Sequence, residues 1–235
     1  MRKGFFIVTA ATLAVAGASA LSVKGNGTVV TQERDLSGFT SVSATSVEEV
    51  SIEKGNEFSV TVTMDQNLLS SYETNVSGGT LHLGFKSGVS VSAITKLHVH
   101  VVMPELRSVS GSGTGTFTIA KGFSGAEFAA SLSGTGSLRA HLDYKKVRID
   151  ISGTGQAELS GKADDVKVAI SGAGSLSGRS FQARTATLSI SGTGSMKISV
   201  TDNLDAVISG LGSIIYYGSP KVDQRISGLG SVQRG

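Results

Sequence analysis

The stretch that decides the fold of this chain reads Ile190-Ser191-Gly192-Thr193-Gly194-Ser195-Met196. The same phrase, an apolar residue followed by Ser-Gly-X-Gly and usually a small polar residue, returns about every 18 to 21 residues through the second half of the chain. Its other clear copies begin at Leu132, Ile151, Ile170, Ile208 and Ile226, and an earlier one lies near Val109. A repeat this short cannot bury an apolar face alone, so each copy must stack on its neighbours.

Apolar residues recur at every second position before each phrase, as in Val166, Val168 and Ile170. A period of two predicts a β-strand with one buried face, and the glycines that follow mark a corner. We therefore predict an all-β fold, a parallel β-helix of stacked coils of about 19 residues with Ser-Gly-X-Gly corners. One interior column is expected to hold the residues that open the phrase: Leu132, Ile151, Ile170, Ile190, Ile208 and Ile226.

The chain divides into three parts on its residue patterns. Residues 1–20 have a basic start, an apolar run and an Ala18-Ser19-Ala20 cleavage motif, which predict a signal peptide. Residues 21–235 are predicted to form one β-helical domain, with less regular coils in 21–107 and regular repeats in 108–235. A separate small sandwich is the alternative for residues 21–107.

Composition narrows the classes of function. Without Arg2 and Lys3 the 21 basic residues become 19, against 18 acidic residues, and no basic block interleaved with aromatics remains. Nucleic acid is therefore not an expected partner. The chain has no cysteine for a disulfide framework. No further apolar run reaches the roughly 20 residues of a membrane span, so we expect export without a transmembrane anchor.

Short motifs in a fixed order resemble a known family of exported bacterial proteins, the auto-transporter adhesin head GIN domain family (DUF2807). They are Gly25-Asn26-Gly27, Asn67-Leu68-Leu69, Gly78-Gly79-Thr80-Leu81, Pro104-Glu105-Leu106 and Tyr217-Gly218-Ser219-Pro220. Arg34 and Phe39 in the first strand region belong to the same series. The resemblance covers nearly all of residues 21–235. It implies a right-handed β-helix and a role in binding, without identifying a ligand.

Candidate catalytic and metal-binding residues are sparse. The best acidic cluster, Asp164-Asp165, lies between Lys162 and Lys167, but neighbouring residues of a strand point to opposite faces. His98 and His100 share a strand face, and His82 on an earlier strand is a candidate neighbour for a metal site. A solvated polar strand is the favoured interpretation of the histidines. We assign no catalytic, cofactor-binding or metal residue and expect no cofactor.

The X positions of the phrase form the candidate binding face. Stacking places these residues in one outward column that changes from hydroxyl to apolar along the rod: Thr135, Thr154, Ala173, Thr193, Leu211 and Leu229. Such a flat row is suited to a glycan, a partner surface or ice. The alternative is that the hydroxyls only hydrogen-bond each other from coil to coil.

The last coils are rich in large apolar residues, including Ile215, Tyr216 and Tyr217. Little sequence follows Val232 to form a polar cap, so we expect unpaired strand edges there and a homo-oligomer or an envelope protein that covers them. The favoured function is an exported, periplasmic or extracellular, non-enzymatic binding or adhesion protein of the cell envelope. A β-helical polysaccharide lyase or hydrolase and a purely structural envelope protein are the alternatives.

Overall fold

The computed structural model describes residues 21–235, and the predicted signal peptide, residues 1–20, lies outside them. The fold is all-β, with 73% strand and 3% helix. The strands of the first half are β1 (Leu21–Lys24), β2 (Val29–Arg34), β3 (Ser41–Ala44), β4 (Glu49–Lys54), β5 (Ser59–Asp65), β6 (Tyr72–Ser77), β7 (Thr80–Phe85), β8 (Val89–Ala93) and β9 (Leu97–Met103). A short 3-10 helix, η1 (Gln66–Ser71), follows β5.

The strands of the second half are longer. They are β10 (Ser108–Gly113), β11 (Thr116–Ile119), β12 (Ser124–Gly134), β13 (Ser137–Gly153), β14 (Gln156–Gly172), β15 (Ser175–Gly192), β16 (Ser195–Gly210), β17 (Ser213–Tyr217), β18 (Lys221–Gly228) and β19 (Ser231–Arg234).

Each of the strands β13 to β16 makes one turn of a β-solenoid. Each pairs in parallel with the next, so that equivalent residues of the repeat lie directly over one another. Ile151, Ile170, Ile190 and Ile208 form one column in this register, and each is at most 1% exposed. The solenoid has about seven turns, and strands about 4.8 Å apart give it a length of roughly 30 Å. The prediction of stacked parallel coils is confirmed.

The interior column is incomplete at its C-terminal end. Leu132 is 2% exposed, as predicted, but Ile226 on β18 is 41% exposed. Ile226 pairs with Ile208 on one side, and no described strand covers its other side. The prediction that Ile226 is buried is therefore wrong, because burial in a stack needs a coil on both sides.

The first half joins the same stack in a different chain order. Strands β3 and β4 pair in parallel with β10 and β11, and on their other side with β7 and β9. Strands β7 and β9 therefore lie on the N-terminal side of β3 and β4. The chain then passes to the other side of β3 and β4, where the regular repeats begin with β10 and β11. One apolar core runs through both halves, from Phe39 to Ile214.

Antiparallel strand pairs lie at the N-terminal end of the stack. On one face β6 pairs with β7, and on the other β5 pairs with β9 and β2 with β5. Helix η1 adds Leu68, which is completely buried. Strands β1 and β8 form a separate two-stranded parallel sheet.

Candidate functional site

The candidate site is the corner at which every coil turns through its Ser-Gly-X-Gly phrase. The first glycine has a left-handed backbone, with φ of 120° at Gly153 and 127° at Gly172. A Cβ on Gly172 would lie 2.5 Å from the carbonyl oxygen of Gly153 in the coil before it. The next backbone N–H, from Ala173, donates to that same oxygen at 2.9 Å. The corner is therefore a close backbone stack that leaves room for glycine only.

The second glycine of each phrase faces inward for another reason. A Cβ on Gly174 would lie 2.7 Å from the Cγ2 methyl of Ile151, and one on Gly212 would lie 2.6 Å from that of Ile190. The isoleucine of one coil thus fills the space beneath the corner of a neighbouring coil. With both glycines fixed, the residue X between them has to point outward.

The predicted binding-face residues all lie at these corners and all are exposed. Thr135, Thr154 and Thr193 precede the leucines in the column. Leu211 is 60% exposed and Leu229 86% exposed at its C-terminal end. Within residues 21–235, the three threonine hydroxyls make no hydrogen bond to protein, so they do not form a closed ladder.

Two further outward rows flank the X column. Before the corner, in-register serines form an outward row: Ser112, Ser133, Ser152, Ser171, Ser191, Ser209 and Ser227. After the corner a second row follows: Thr116, Ser137, Gln156, Ser175, Ser195, Ser213 and Ser231. We call these two rows and the X column between them the hydroxyl strip.

The hydroxyl strip carries no charged side chain over its seven coils, from Ser112 to Ser231. Charged residues occur in the next outward-facing column along the strands, two residues after the strip, at Arg139, Glu158 and Lys197. Within the strip one hydroxyl pair bonds across coils, Thr116 Oγ1 to Ser137 Oγ at 2.9 Å. Ser133 Oγ also donates to the Gly111 carbonyl at 3.5 Å. The strip therefore presents neutral donors and acceptors on a rigid backbone, and the hydroxyls of Thr135, Thr154 and Thr193 have no protein partner among residues 21–235, as needed to hydrogen-bond a neutral polar ligand.

The three residues of the predicted C-terminal patch do not share one face. Ile215 and Tyr217 pair with the outward-facing Lys197 and Ser199, whereas Tyr216 pairs with the buried Ile198. All three are half-buried. The guanidinium of Arg179 lies 4.8 Å from the ring centroid of Tyr217 and covers part of it. The exposed apolar side chains at this end are instead Leu211, Ile226 and Leu229.

The histidines fit a polar strand face. Ser51 Oγ lies 2.9 Å from His98 Nε2 and 3.0 Å from His100 Nδ1. Burial lowers the pKa of His98, and the positive charge of Lys96 acts in the same direction. His82 lies on β7, which pairs with β3 and β6 rather than with β9, so the expected neighbour is absent. Among residues 21–235 no three acidic, histidine or cysteine side chains cluster as metal ligands do.

The acidic residues are spread along the coils, mostly beside a base. Ion pairs join Glu158 to Arg139 (3.2 Å), Asp143 to Lys162 (3.7 Å), Asp202 to Arg184 (3.2 Å) and Asp205 to Arg225 (3.4 Å). Asp164 and Asp165 do not converge, because they line different depressions of the surface.

A shallow groove that the sequence did not reveal runs along another corner of the coils. It has a volume of about 520 Å³ and crosses five adjacent coils, from Ser124 on β12 to Thr201 on β16. Asp143, Lys162 and Gln182 lie at its centre, with Asp164 and Arg184 beside them. Tyr144 forms part of its floor and donates its hydroxyl to the Leu106 carbonyl at 2.6 Å. Burial raises the pKa of Tyr144 to about 12, so this hydroxyl stays protonated. Asp164 and Lys162 stand out in the sequence, but no repeated motif links them to Asp143, Gln182 and Arg184, so the groove itself could not be predicted.

Asp65 is a buried carboxylate that no repeat or motif of the sequence marks. It is completely buried and accepts hydrogen bonds from the Gly27 N–H (2.7 Å), the Thr95 N–H (2.7 Å) and the Thr95 hydroxyl (2.9 Å). Gly25 packs so closely that a Cβ there would lie 2.5 Å from its carboxyl carbon. Burial by itself would raise the pKa of Asp65, but these hydrogen bonds outweigh it and lower the pKa. We call this arrangement the Asp65 clasp.

Comparison with known proteins agrees with this architecture. The model of a family described as "Putative auto-transporter adhesin, head GIN domain" (DUF2807) matches residues 38–220. No curated protein sequence matches the chain. Within residues 21–235, no helix is long and apolar enough to span a membrane.

Several solved structures share the fold. A "putative adhesin" from Bacteroides fragilis superposes with a TM-score of 0.84 at 20% identity, over 91% of this chain and 100% of that one. A "putative adhesin" from Parabacteroides merdae gives 0.73 at 26% identity, over 91% and 99%. A "putative lipid binding protein" from Parabacteroides distasonis gives 0.74 at 23% identity, over 91% and 99%.

Proposed function

Because the chain belongs to the auto-transporter adhesin head GIN domain family (DUF2807), we propose that it is an exported, adhesion-type binding protein that catalyses no reaction. In this proposal residues 1–20 direct export, and residues 21–235 act as one β-helical binding domain at the cell envelope. The hydroxyl strip is its binding face, and the ligand is a neutral glycan.

The observation that carries the proposal is the run of uncharged side chains along the strip. Thr135, Thr154 and Thr193 are exposed, lack protein partners for their hydroxyls within residues 21–235, and repeat at the spacing of the coils. A sugar presents neutral hydroxyls that both donate and accept, which is the chemistry of serine and threonine. An anionic ligand would need basic side chains in the strip, and none lies there among residues 112–231.

The rigid backbone supports the same assignment. The strip is built on paired strands with corner N–H groups bonded from coil to coil at 2.9–3.1 Å. Hydroxyls on such a frame lose little freedom when a ligand binds, so weak contacts add up along the rod. Leu211 and Leu229 add apolar surface at one end of the strip, suited to the C–H faces of a sugar ring.

A glycan array with residues 21–235 tests the proposal. We expect binding to neutral glycans that Thr154→Arg, in the centre of the strip, weakens by about tenfold or more. The matched control is Thr187→Arg on β15, because Thr187 is also an exposed threonine but lies outside the strip. An array without neutral glycan binding, or binding lost in the control but kept in Thr154→Arg, would contradict the assignment.

The groove through Asp143 and Asp164 is the feature on which the rival function, polysaccharide cleavage, would depend. Its carboxylates lie among Lys162, Lys145 and Arg184, and Asp143 is paired with Lys162. Product release from a polysaccharide that disappears in Asp164→Asn would favour this rival over the binding function.

A further inference from the structure

The outer edge of the last coil is an open β-sheet edge. Strand β18 pairs with β16 and strand β19 with β17, and neither has a second partner among residues 21–235. Backbone N–H and C=O groups on such an edge are available for pairing with another strand. At the opposite end the outermost strands, β2 and β6, also have one partner each, but they pair in antiparallel with β5 and β7.

The apolar core also reaches this edge. Val222, Gln224 and Ile226 pair with the buried Leu204, Ala206 and Ile208, which places them on the inward face of β18. Ile226 is 41% exposed, against 0% for Ile208 one coil earlier. A further strand seated on β18 would restore the burial that every earlier coil has.

The sequence of β18 is complementary to itself in one antiparallel register. When two copies are centred on Gln224, each Asp223 stands opposite the partner's Arg225, and each Val222 stands opposite the partner's Ile226. Two opposite-charge pairs then lie on the outer face and two apolar pairs on the inner face, which is the favourable combination for an antiparallel ladder. Asp223 and Arg225 side chains are 71% and 63% exposed, so both are accessible.

We propose that two copies of this protein associate end to end by antiparallel pairing of β18 with β18, about a two-fold axis at Gln224. The contact is isologous and therefore closes as a dimer rather than growing into a fibre. It buries Ile226 against the partner's Val222. The proposal goes beyond the binding function and does not depend on the hydroxyl strip.

Charge exchange tests the register in solution. By analytical ultracentrifugation at micromolar concentration we expect a dimer, whose Kd rises about tenfold or more in Asp223→Arg, which sets like charges opposite each other. The double variant Asp223→Arg with Arg225→Asp should restore the dimer. Asp165→Arg is the matched control, since it makes the same change on β14, which is paired on both sides. A monomeric wild-type chain, or a double variant no better than the single ones, would overturn the proposal.

Cysteine crosslinking provides an independent measurement, because the chain has no cysteine of its own. Centred pairing places the two Gln224 Cα atoms roughly 4.5–5.5 Å apart, within the range of a disulfide. Oxidised Gln224→Cys should therefore run as a covalent dimer. Ser227→Cys should not, since Ser227 stands opposite Lys221 rather than itself. Equal crosslinking of both variants, or of neither, would overturn the proposed register.

Discussion

Glycine occupies two positions in every corner for two separate physical reasons. Gly172 combines a positive φ of 127° with a backbone oxygen 2.5 Å from where its Cβ would stand. Gly174 has no positive φ in the left-handed range, and its constraint is steric, from the Ile151 methyl group at 2.7 Å. Gly38 has a positive φ of 76° with open space around it. These three glycines separate the cost of conformation from the cost of close packing.

Alanine substitutions at these three glycines should therefore lower the free energy of unfolding for different reasons. Gly38→Ala should cost about 1–2 kcal/mol, the usual penalty for a left-handed alanine. Gly172→Ala should cost more than Gly38→Ala, because its Cβ also meets the carbonyl oxygen of the neighbouring coil. Gly174→Ala should cost about 1–3 kcal/mol as an overpacked core position. Urea unfolding measures all three, and a Gly172→Ala cost equal to that of Gly38→Ala would show that the coils separate easily at the corner.

At the scale of the element, each coil has a row of inward-facing side chains. These side chains are buried only when another coil lies on each side. Ile170 and Ile226 hold the same place in the repeat, yet they are 1% and 41% exposed. The difference arises from position in the stack rather than from local sequence. The two isoleucines thus provide an internal comparison of a complete and an incomplete layer.

We expect Ile170→Ala to lower the free energy of unfolding by about 2–4 kcal/mol, as for a large-to-small change in a packed core. Ile226→Ala should cost distinctly less at protein concentrations where the chain is monomeric, because less apolar surface is lost. Denaturant melts of both variants test this. A cost below about 0.5 kcal/mol for Ile170→Ala is incompatible with an interior column.

The coil could be predicted from sequence because its pattern is periodic and local. The apolar residues at every second position before each Ser-Gly predict the buried face, and the regular spacing of the phrases predicts the stacking of the coils. Chain order in the first half could not be predicted, since β3 is flanked by β7 and β10, which are distant from β3 and from each other in sequence, and β7 carries no copy of the phrase. His82 was misplaced for that reason. The hydroxyl strip follows from the phrase itself, whereas the groove joins residues such as Asp143 and Lys162 only through coil stacking.

At the scale of the whole molecule, the two ends of the rod are finished differently. At the C-terminal end Ile226, on the inward face of β18, is 41% exposed, whereas at the N-terminal end the outermost strands β2 and β6 pair in antiparallel with β5 and β7. The Asp65 clasp lies at the N-terminal end. Its carboxylate joins the segment before β2, through Gly27, to the loop before β9, through Thr95. A single ionised group therefore connects parts of the chain that are far apart in sequence.

This arrangement gives the fold a defined dependence on pH. The pKa of Asp65 is lowered from its ordinary value of 3.8, so the folded state favours the charged carboxylate. Its contribution to stability is complete above that ordinary value and is lost as the pH falls through the lowered pKa. The pKa of His98 is lowered from 6.5, chiefly by burial. The unfolded chain therefore takes up this proton first, and stability starts to fall as the pH drops below about 6.5.

We expect the urea midpoint to be nearly constant from pH 8 to 7 and then to decline in two stages, below about 6.5 and below about 3.8. His98→Gln should flatten the first stage, because it removes the histidine that the fold keeps neutral. Asp65→Asn should lower the midpoint at pH 7 and flatten the second stage, since an amide cannot accept the Gly27 and Thr95 hydrogen bonds as a carboxylate does. Asp202→Asn is the control, because Asp202 is an exposed carboxylate in a surface ion pair with Arg184, which contributes little. If the urea midpoint of Asp65→Asn fell as steeply below pH 3.8 as that of the unmodified chain, the Asp65 clasp would not be the source of the second stage.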